Sequence, residues 1–239
     1  GYDDESDFSG IYHKNRNWSN PNLVGYMESH DEQRIMYENL NYGNSNSSGS
    51  YDVTELNTAL NRIKLSSAFF FTVPGPKMFW QFGELGYEVD INQNGRTGEK
   101  PIRWEYYQDE NRKKLYNTYQ ALIRLRNSHE AFTSNTSDVT MDVNDATKRI
   151  TISHPELEVR IAGNFGVTDT DLQPQFSQTG DWYDFFSGDT LSVNNTDTTI
   201  AMSAGEFHIY TTQKFAAPAE DLLTFVPTQI NLDISKAFD

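Results

Sequence analysis

The order in which apolar periodicities follow one another constrains this chain most. Residues 23–27 form a short apolar run after Pro21-Asn22, and residues 77–82 form a second run after Val73-Pro74-Gly75-Pro76. Two stretches with helical spacing lie between and after these runs. The first begins at Asp52, which has the form of a capping box with Glu55 three residues on. It places Leu56, Ala59, Leu60, Ile63 and Ser67 on one face and should stop near Phe71, because Pro-Gly-Pro cannot continue a helix. The second covers residues 111–127, with Leu115, Tyr119, Leu122 and Leu125 on one stripe. Strand, helix, strand, helix is βα arithmetic and predicts two parallel strands. The first run is apolar rather than alternating, which predicts a strand covered on both faces. Residues 42–50 and 86–104 read as loops, the latter polar.

After His129 helical spacing gives way to short β-prone runs, at 139–143, 149–153, 159–162, 182–186, 198–202 and 206–212. Turn pairs such as Asn144-Asp145, Gly163-Asn164, Gly188-Asp189 and Asn194-Asn195 separate them. Regular short strands with this punctuation predict an antiparallel sandwich. The expected fold class is therefore α/β plus all-β. An α/β unit spans residues 1–130, a β-sandwich spans 131–215, and a linker and tail span 216–239.

The first strand runs directly into Glu28-Ser29-His30-Asp31. Polar side chains just past the C-terminal end of a strand sit where an α/β sheet opens to solvent. A carboxylate and an imidazole together offer an acceptor and a donor to vicinal hydroxyls. Glu28 is read as a structural support for the pair more than as a ligand. Further along, Asp90-Ile91-Asn92-Gln93-Asn94-Gly95 matches the first half of a calcium loop. The twelfth position holds Pro101 instead of an acidic residue, so a polar turn is expected at Asp90, Asn92 and Asn94, with calcium as the alternative.

Charge narrows the partners. With 34 acidic against 19 basic residues, a net charge of −15 repels phosphate backbones and anionic membranes but leaves a neutral carbohydrate unaffected. Nucleic acid is excluded on this ground, and no apolar run approaches the length of a membrane span. The 13 Tyr, 15 Phe and 4 Trp are core formers first, and where exposed they are platforms for sugar rings. With no cysteine there is neither a disulfide framework nor a thiolate metal site. The acidic, Asn/Ser/Thr-rich surface and the polar start at Gly1 suit a mature or trimmed bacterial protein, extracellular or periplasmic.

Several motifs, in order, carry a family resemblance. Tyr26-Met27-Glu28-Ser29-His30-Asp31 resembles the strand-seven motif of the α-amylase family (glycoside hydrolase family 13). Residues 74–84, with a Pro-Gly start and a Gly-Glu end, resemble strand eight of its (β/α)8 TIM barrel. Lys100-Pro101-Ile102-Arg103-Trp104 resembles the segment before the last barrel helix, and residues 122–129 resemble the end of that helix. Trp182-Tyr183-Asp184 and Gly205-Glu206-Phe207 resemble parts of the β-sandwich that follows the barrel.

The resemblance implies a retaining glycosidase acting on α-1,4-glucans, of which this chain is the C-terminal portion. Such an enzyme needs a nucleophile and an acid, two carboxyl groups about 5–5.5 Å apart. In the family these stand on strands four and five. No Arg-x-Asp, the form of the nucleophile motif, occurs in this chain, which is therefore expected to be inactive alone. By resemblance, Asp31 is the family's third carboxylate and His30 bonds the same sugar; Glu28, Arg103 and Tyr87 are further candidate substrate contacts. A non-catalytic glycan-binding or structural module is the alternative. Two strands cut from a barrel leave open edges. The chain is expected either to self-associate through them or to cover the exposed face with residues 222–234.

Overall fold

Both parallel strands are shorter than the apolar runs that announce them. In the computed structural model, which describes residues 7–218 and 221–224, β1 (Gly25–Tyr26) pairs with β2 (Lys77–Met78) in parallel, Gly25 opposite Lys77 and Tyr26 opposite Met78. Among the described residues neither strand has another partner. Gly25 is buried because Ile11 and Phe70 lie on it, and a Cβ there would come within 2.7 Å of Ile11 Cγ1. On the opposite face Val24 and Tyr26 are 52% and 48% exposed. β1 is thus covered on its helix side alone, which corrects the expectation of two-sided cover.

Among the described residues three α-helices follow the order of the sequence, one more than its periodicity announced. α1 (Ile35–Tyr42) occupies a stretch without an assigned element, and its buried contact is Met36. α2 (Leu56–Thr72) ends where Val73 turns into the Pro-Gly-Pro segment. Its capping differs from expectation. Asp52 accepts from the backbone N–H and the hydroxyl of Thr54, at 2.8 and 2.7 Å, so it closes an Asx turn before the helix, while Glu55 at the N-cap makes no side-chain cap bond. From Lys64 to Thr72 all but Ser66 are buried, because this half of α2 lies against β1, α3, β5 and β10 at once. α3 (Glu110–Ser128) starts on Asp109, whose carboxylate accepts from the N–H groups of Asn111 and Arg112.

Arg126, in the last turn of α3, gathers four carbonyls. It donates to Phe71 O, Val73 O, Phe132 O and Gly75 O at 2.6–2.9 Å. The end of α2, the turn into β2 and the chain entering the next layer converge on that one guanidinium.

Beyond it lies an antiparallel sheet in the order β3-β4-β5-β10-β7-β8, with β6 and β9 forming a second, two-stranded sheet. The strands are β3 (Asp138–Asp142), β4 (Thr147–His154), β5 (Leu157–Asn164), β6 (Thr170–Leu172), β7 (Gly180–Asp184), β8 (Thr190–Val193), β9 (Ile200–Met202) and β10 (Phe207–Thr211). β6 and β8 are short and half-exposed, and the sequence reading passed over both. One apolar core runs from α2 and α3 into the sheet, joining Phe69, Phe71, Leu122, Ile150, Ile161 and Ile209.

The tail contributes Leu222, buried in that core, with Lys64 Nζ donating to its carbonyl at 2.7 Å. Residues 225–234 of the expected covering segment lie outside the described residues. No helix among the described residues is long and apolar enough to cross a membrane.

Candidate functional site

Past β1 the chain buries Glu28 and Ser29 and then turns His30 and Asp31 out, each with 68% of its side chain exposed. His30 Nε2 stands 3.3 Å from Asp31 Oδ2. Because β1 and β2 are parallel, the end of β2 opens beside this pair. The indole of Trp80 lies there, its ring centre 5.6 Å from that of His30. An apolar groove of about 650 Å³ runs along the open flank of β1, lined by Phe8, Ile11, Val24, Tyr26 and Phe70 among others.

The segment is held by its backbone, which leaves the two exposed side chains free. Arg34, buried, donates from Nη1 to Ser29 O at 2.5 Å, and the Ser29 hydroxyl accepts from Asp31 N at 3.1 Å and bonds the Glu32 carboxylate. Arg96 reaches across and donates to Asp31 O.

Glu28 is one of these anchors. Its Oε2 accepts from Ile35 N at 2.9 Å and so caps α1, where a negative charge also meets the helix dipole. Burial raises its pKa, opposed by the Ile35 bond and by Arg34, and assisted by Glu84. Glu84 is itself raised by burial. The structure thus places Glu28 beneath the site, away from its mouth.

The loop between β2 and α3 supplies the other wall. Phe82, at φ 58°, is in the left-handed region, a strained place for an aromatic residue. That turn sets its ring against Trp104 at 4.9 Å and Tyr87 at 5.6 Å. Trp104 remains 70% exposed. Asp90 Oδ1 accepts from Gln33 Nε2 and Asn92 N, both at 2.8 Å, while Gln33 Oε1 accepts from Ile91 N. Asn94 is turned to Glu99 O. Asp90 and Asn92 form a polar Asx turn clipped to the His30–Asp31 segment through Gln33.

The remaining expected contacts separate. Tyr87 is 1% exposed, and its hydroxyl donates to Pro101 O at 2.6 Å. It belongs to the small core of Phe82, Leu85 and Val89, which corrects its assignment as a substrate contact. Arg103 stays at the surface, paired with Glu105 at 3.1 Å. Sequence reasoning missed Gln33 and Arg96, whose partners are distant in the chain, and Arg34, which holds a backbone carbonyl five residues before it. Trp80, one of the aromatics expected to form core first, is half-buried, and the parallel pairing of the two strands brings it to His30.

The site can engage a neutral polyol. An exposed carboxylate and imidazole address hydroxyls, and indole faces address the C–H side of a ring.

No protein-family model matches the sequence, and no curated protein matches it. Solved structures do. The gamma-CGTase of alkalophilic Bacillus clarkii is similar at TM-score 0.62 and 15% identity, over 89% of this chain and 29% of that one. AmyP in complex with maltose is similar at 0.58 and 16%, over 84% and 42%. The α-amylase of Geobacillus thermoleovorans complexed with acarbose is similar at 0.55 and 14%, over 80% and 38%. The chain spans 29–42% of the length of these structures. Two parallel strands with their helices, followed by the antiparallel sheets, give this chain the fold of the C-terminal portion of α-amylase-type glycoside hydrolases.

Proposed function

We propose that this chain is the C-terminal portion of a retaining α-amylase-type glycoside hydrolase acting on α-1,4-glucans, and that His30 and Asp31 form one wall of its sugar subsite. The observation that carries this reading is the exposed His30–Asp31 pair at the end of β1, with Trp80 beside it from the end of β2. Asp31 accepts hydrogen bonds from two hydroxyls of the ring being cleaved, and His30 donates to one of them. These bonds strengthen as the ring distorts, so they lower the barrier more than they tighten ground-state binding. The nucleophile and the general acid come from strands that this chain does not contain, and the chain alone does not hydrolyse starch. The open flanks of β1 and β2 receive those strands, and without them two copies associate there. An acidic surface in contact with polysaccharide suits a bacterial extracellular or periplasmic enzyme.

The test is to express the longer coding sequence that includes this chain and assay it on soluble starch, following the anomeric form of the product. Asp31→Asn is expected to lower kcat by orders of magnitude, with unchanged thermal stability and retention in the residual product. Full activity in that variant removes Asp31 from the site. Starch binding without hydrolysis by the longer protein identifies a glycan-binding module instead.

A further inference from the structure

Among the described residues, one group of three His, Asp or Glu side chains brings a potential ligand atom from each to within 4.8 Å of the others: His129, His154 and Glu156. They belong to different elements from the His30–Asp31 pair. His129 is the residue at which α3 ends, His154 is the last residue of β4, and Glu156 sits in the turn between β4 and β5. The rings of the two histidines meet edge to face, centres 5.3 Å apart, and His129 Nε2 stands 3.8 Å from Glu156 Oε2. Phe215 walls the far side of His129, and Gln213 Nε2 holds the turn by donating to Glu156 O at 2.7 Å.

We propose that His129, His154 and Glu156 form a Zn²⁺ site that clips the C-terminal end of α3 to the β4–β5 hairpin. Two imidazole nitrogens and one carboxylate oxygen are a donor set that zinc takes, whereas calcium and magnesium favour oxygen alone. Three protein ligands leave a fourth position for water. Tetrahedral zinc, with bonds of about 2.0–2.1 Å, draws its donors closer together than they stand here. Glu156, with 77% of its side chain in solvent, is free to make most of that movement.

The metal-free hydrogen bonds fix what loading must change. His129 Nδ1 accepts from Ala131 N at 3.0 Å, and His154 Nδ1 accepts from Glu156 N at 3.3 Å. An Nδ1 that accepts places the ring proton on Nε2 of each neutral imidazole. A metal bound at Nε2 needs that lone pair, so each ring proton moves to Nδ1 and each backbone N–H loses its acceptor. Loading therefore exchanges the cap of the short 3-10 turn at Glu130–Phe132 for a cross-link between two layers.

The experiment titrates Zn²⁺ into this chain, freed of metal with a chelator, by calorimetry, with thermal melts and ¹⁵N spectra of the imidazole nitrogens recorded in parallel. One zinc per chain, a higher melting temperature, and a switch of both rings from the Nε2–H to the Nδ1–H form are expected. His154→Ala should weaken zinc binding at least a hundredfold. Glu156→Gln, at an exposed turn where folding is unaffected, should weaken it at least tenfold. No measurable binding in the unsubstituted chain overturns the proposal. So does zinc binding that both variants keep at full strength, which would place the metal elsewhere. Neither result bears on His30 and Asp31.

Discussion

The carboxylate of Glu28 lies against the backbone of Gly83, so that a Cβ on Gly83 would come within 2.6 Å of Glu28 Oε1. The ends of β1 and β2 are thereby spaced by a carboxyl group that caps α1 on its other oxygen. Gly83→Ala must push the carboxylate away from Ile35 or displace the turn after β2. A loss of about 1–3 kcal/mol is expected, as for other overpacked sites. Urea unfolding of the two proteins measures it, and an unchanged midpoint would show that Glu28 has room to move.

Tyr87 offers a cleaner separation of packing from ligand contact. Its hydroxyl is used up on Pro101 O inside a sealed core. Tyr87→Phe should cost about 1 kcal/mol of stability, the net worth of a buried hydrogen bond, and, on the α-glucan reading proposed above, leave maltotriose binding by the longer protein unaltered. A raised KM at equal stability would restore Tyr87 to the substrate's surroundings.

Asp109 is expected to matter to α3 as an N-cap alone. It accepts two backbone N–H groups, and Asp109→Ala should cost about 1 kcal/mol, within the range for lost caps. Asp109→Ser should recover most of it. Thermal melts of the three proteins decide the matter, and equal melting points would mean that water replaces the cap at no cost.

His208 gives the sandwich a pH dependence of known sign. Its ring bridges Asp184 at 2.6 Å and Glu206 at 3.0 Å. Burial pushes its pKa down, but the hydrogen bonds to the two carboxylates outweigh this and lift it to about 9. A histidine raised above its unfolded value contributes stability that is fully present below pH about 6.5 and is lost as pH rises through about 9. Lys77, held at about 7, and Lys64, held at about 8, both by burial, act the other way, since each gains from alkaline pH. The telling quantity is the difference between the unsubstituted chain and His208→Gln. That difference should shrink between pH 7 and pH 10, and a constant difference over that range would dissociate the ion bridge from stability.

On the α-glucan reading proposed above, Trp80→Ala should weaken maltotriose binding by the longer protein roughly tenfold, the scale of one lost aromatic contact of about 1.4 kcal/mol. Tryptophan fluorescence follows the titration. Unaltered affinity would leave the indole as a spacer for His30.

Much of this architecture was legible in residue order. The spacing of Leu115, Tyr119 and Leu122 gave α3 to within a residue at each end, and the change of texture after His129 marked where the antiparallel strands begin. What escaped depended on partners distant in sequence. Residues 23–27 read as a strand covered on both faces because apolar side chains do not state which neighbours they will have, and Val24 and Tyr26 face an open flank. α1 escaped because one buried residue, Met36, leaves almost no periodic trace. β6 and β8 escaped because three or four half-exposed residues look like loop. At the site, His30 and Asp31 stood out by their place just past the end of a strand and by the family resemblance. Gln33, Arg34 and Arg96 did not, since what they do is decided by the carbonyls and amides that the fold brings to them.

The four carbonyls around Arg126 carry a further meaning. Each belongs to a segment that is leaving one element for another, and none has a partner in a regular ladder. A single cation thus serves as the common origin from which the heading of β2 and the heading of the chain into the sandwich are both set. The direction in which Trp80 is presented is inherited from the far end of α3. A sequence change at that end would redirect the site without touching any residue in it.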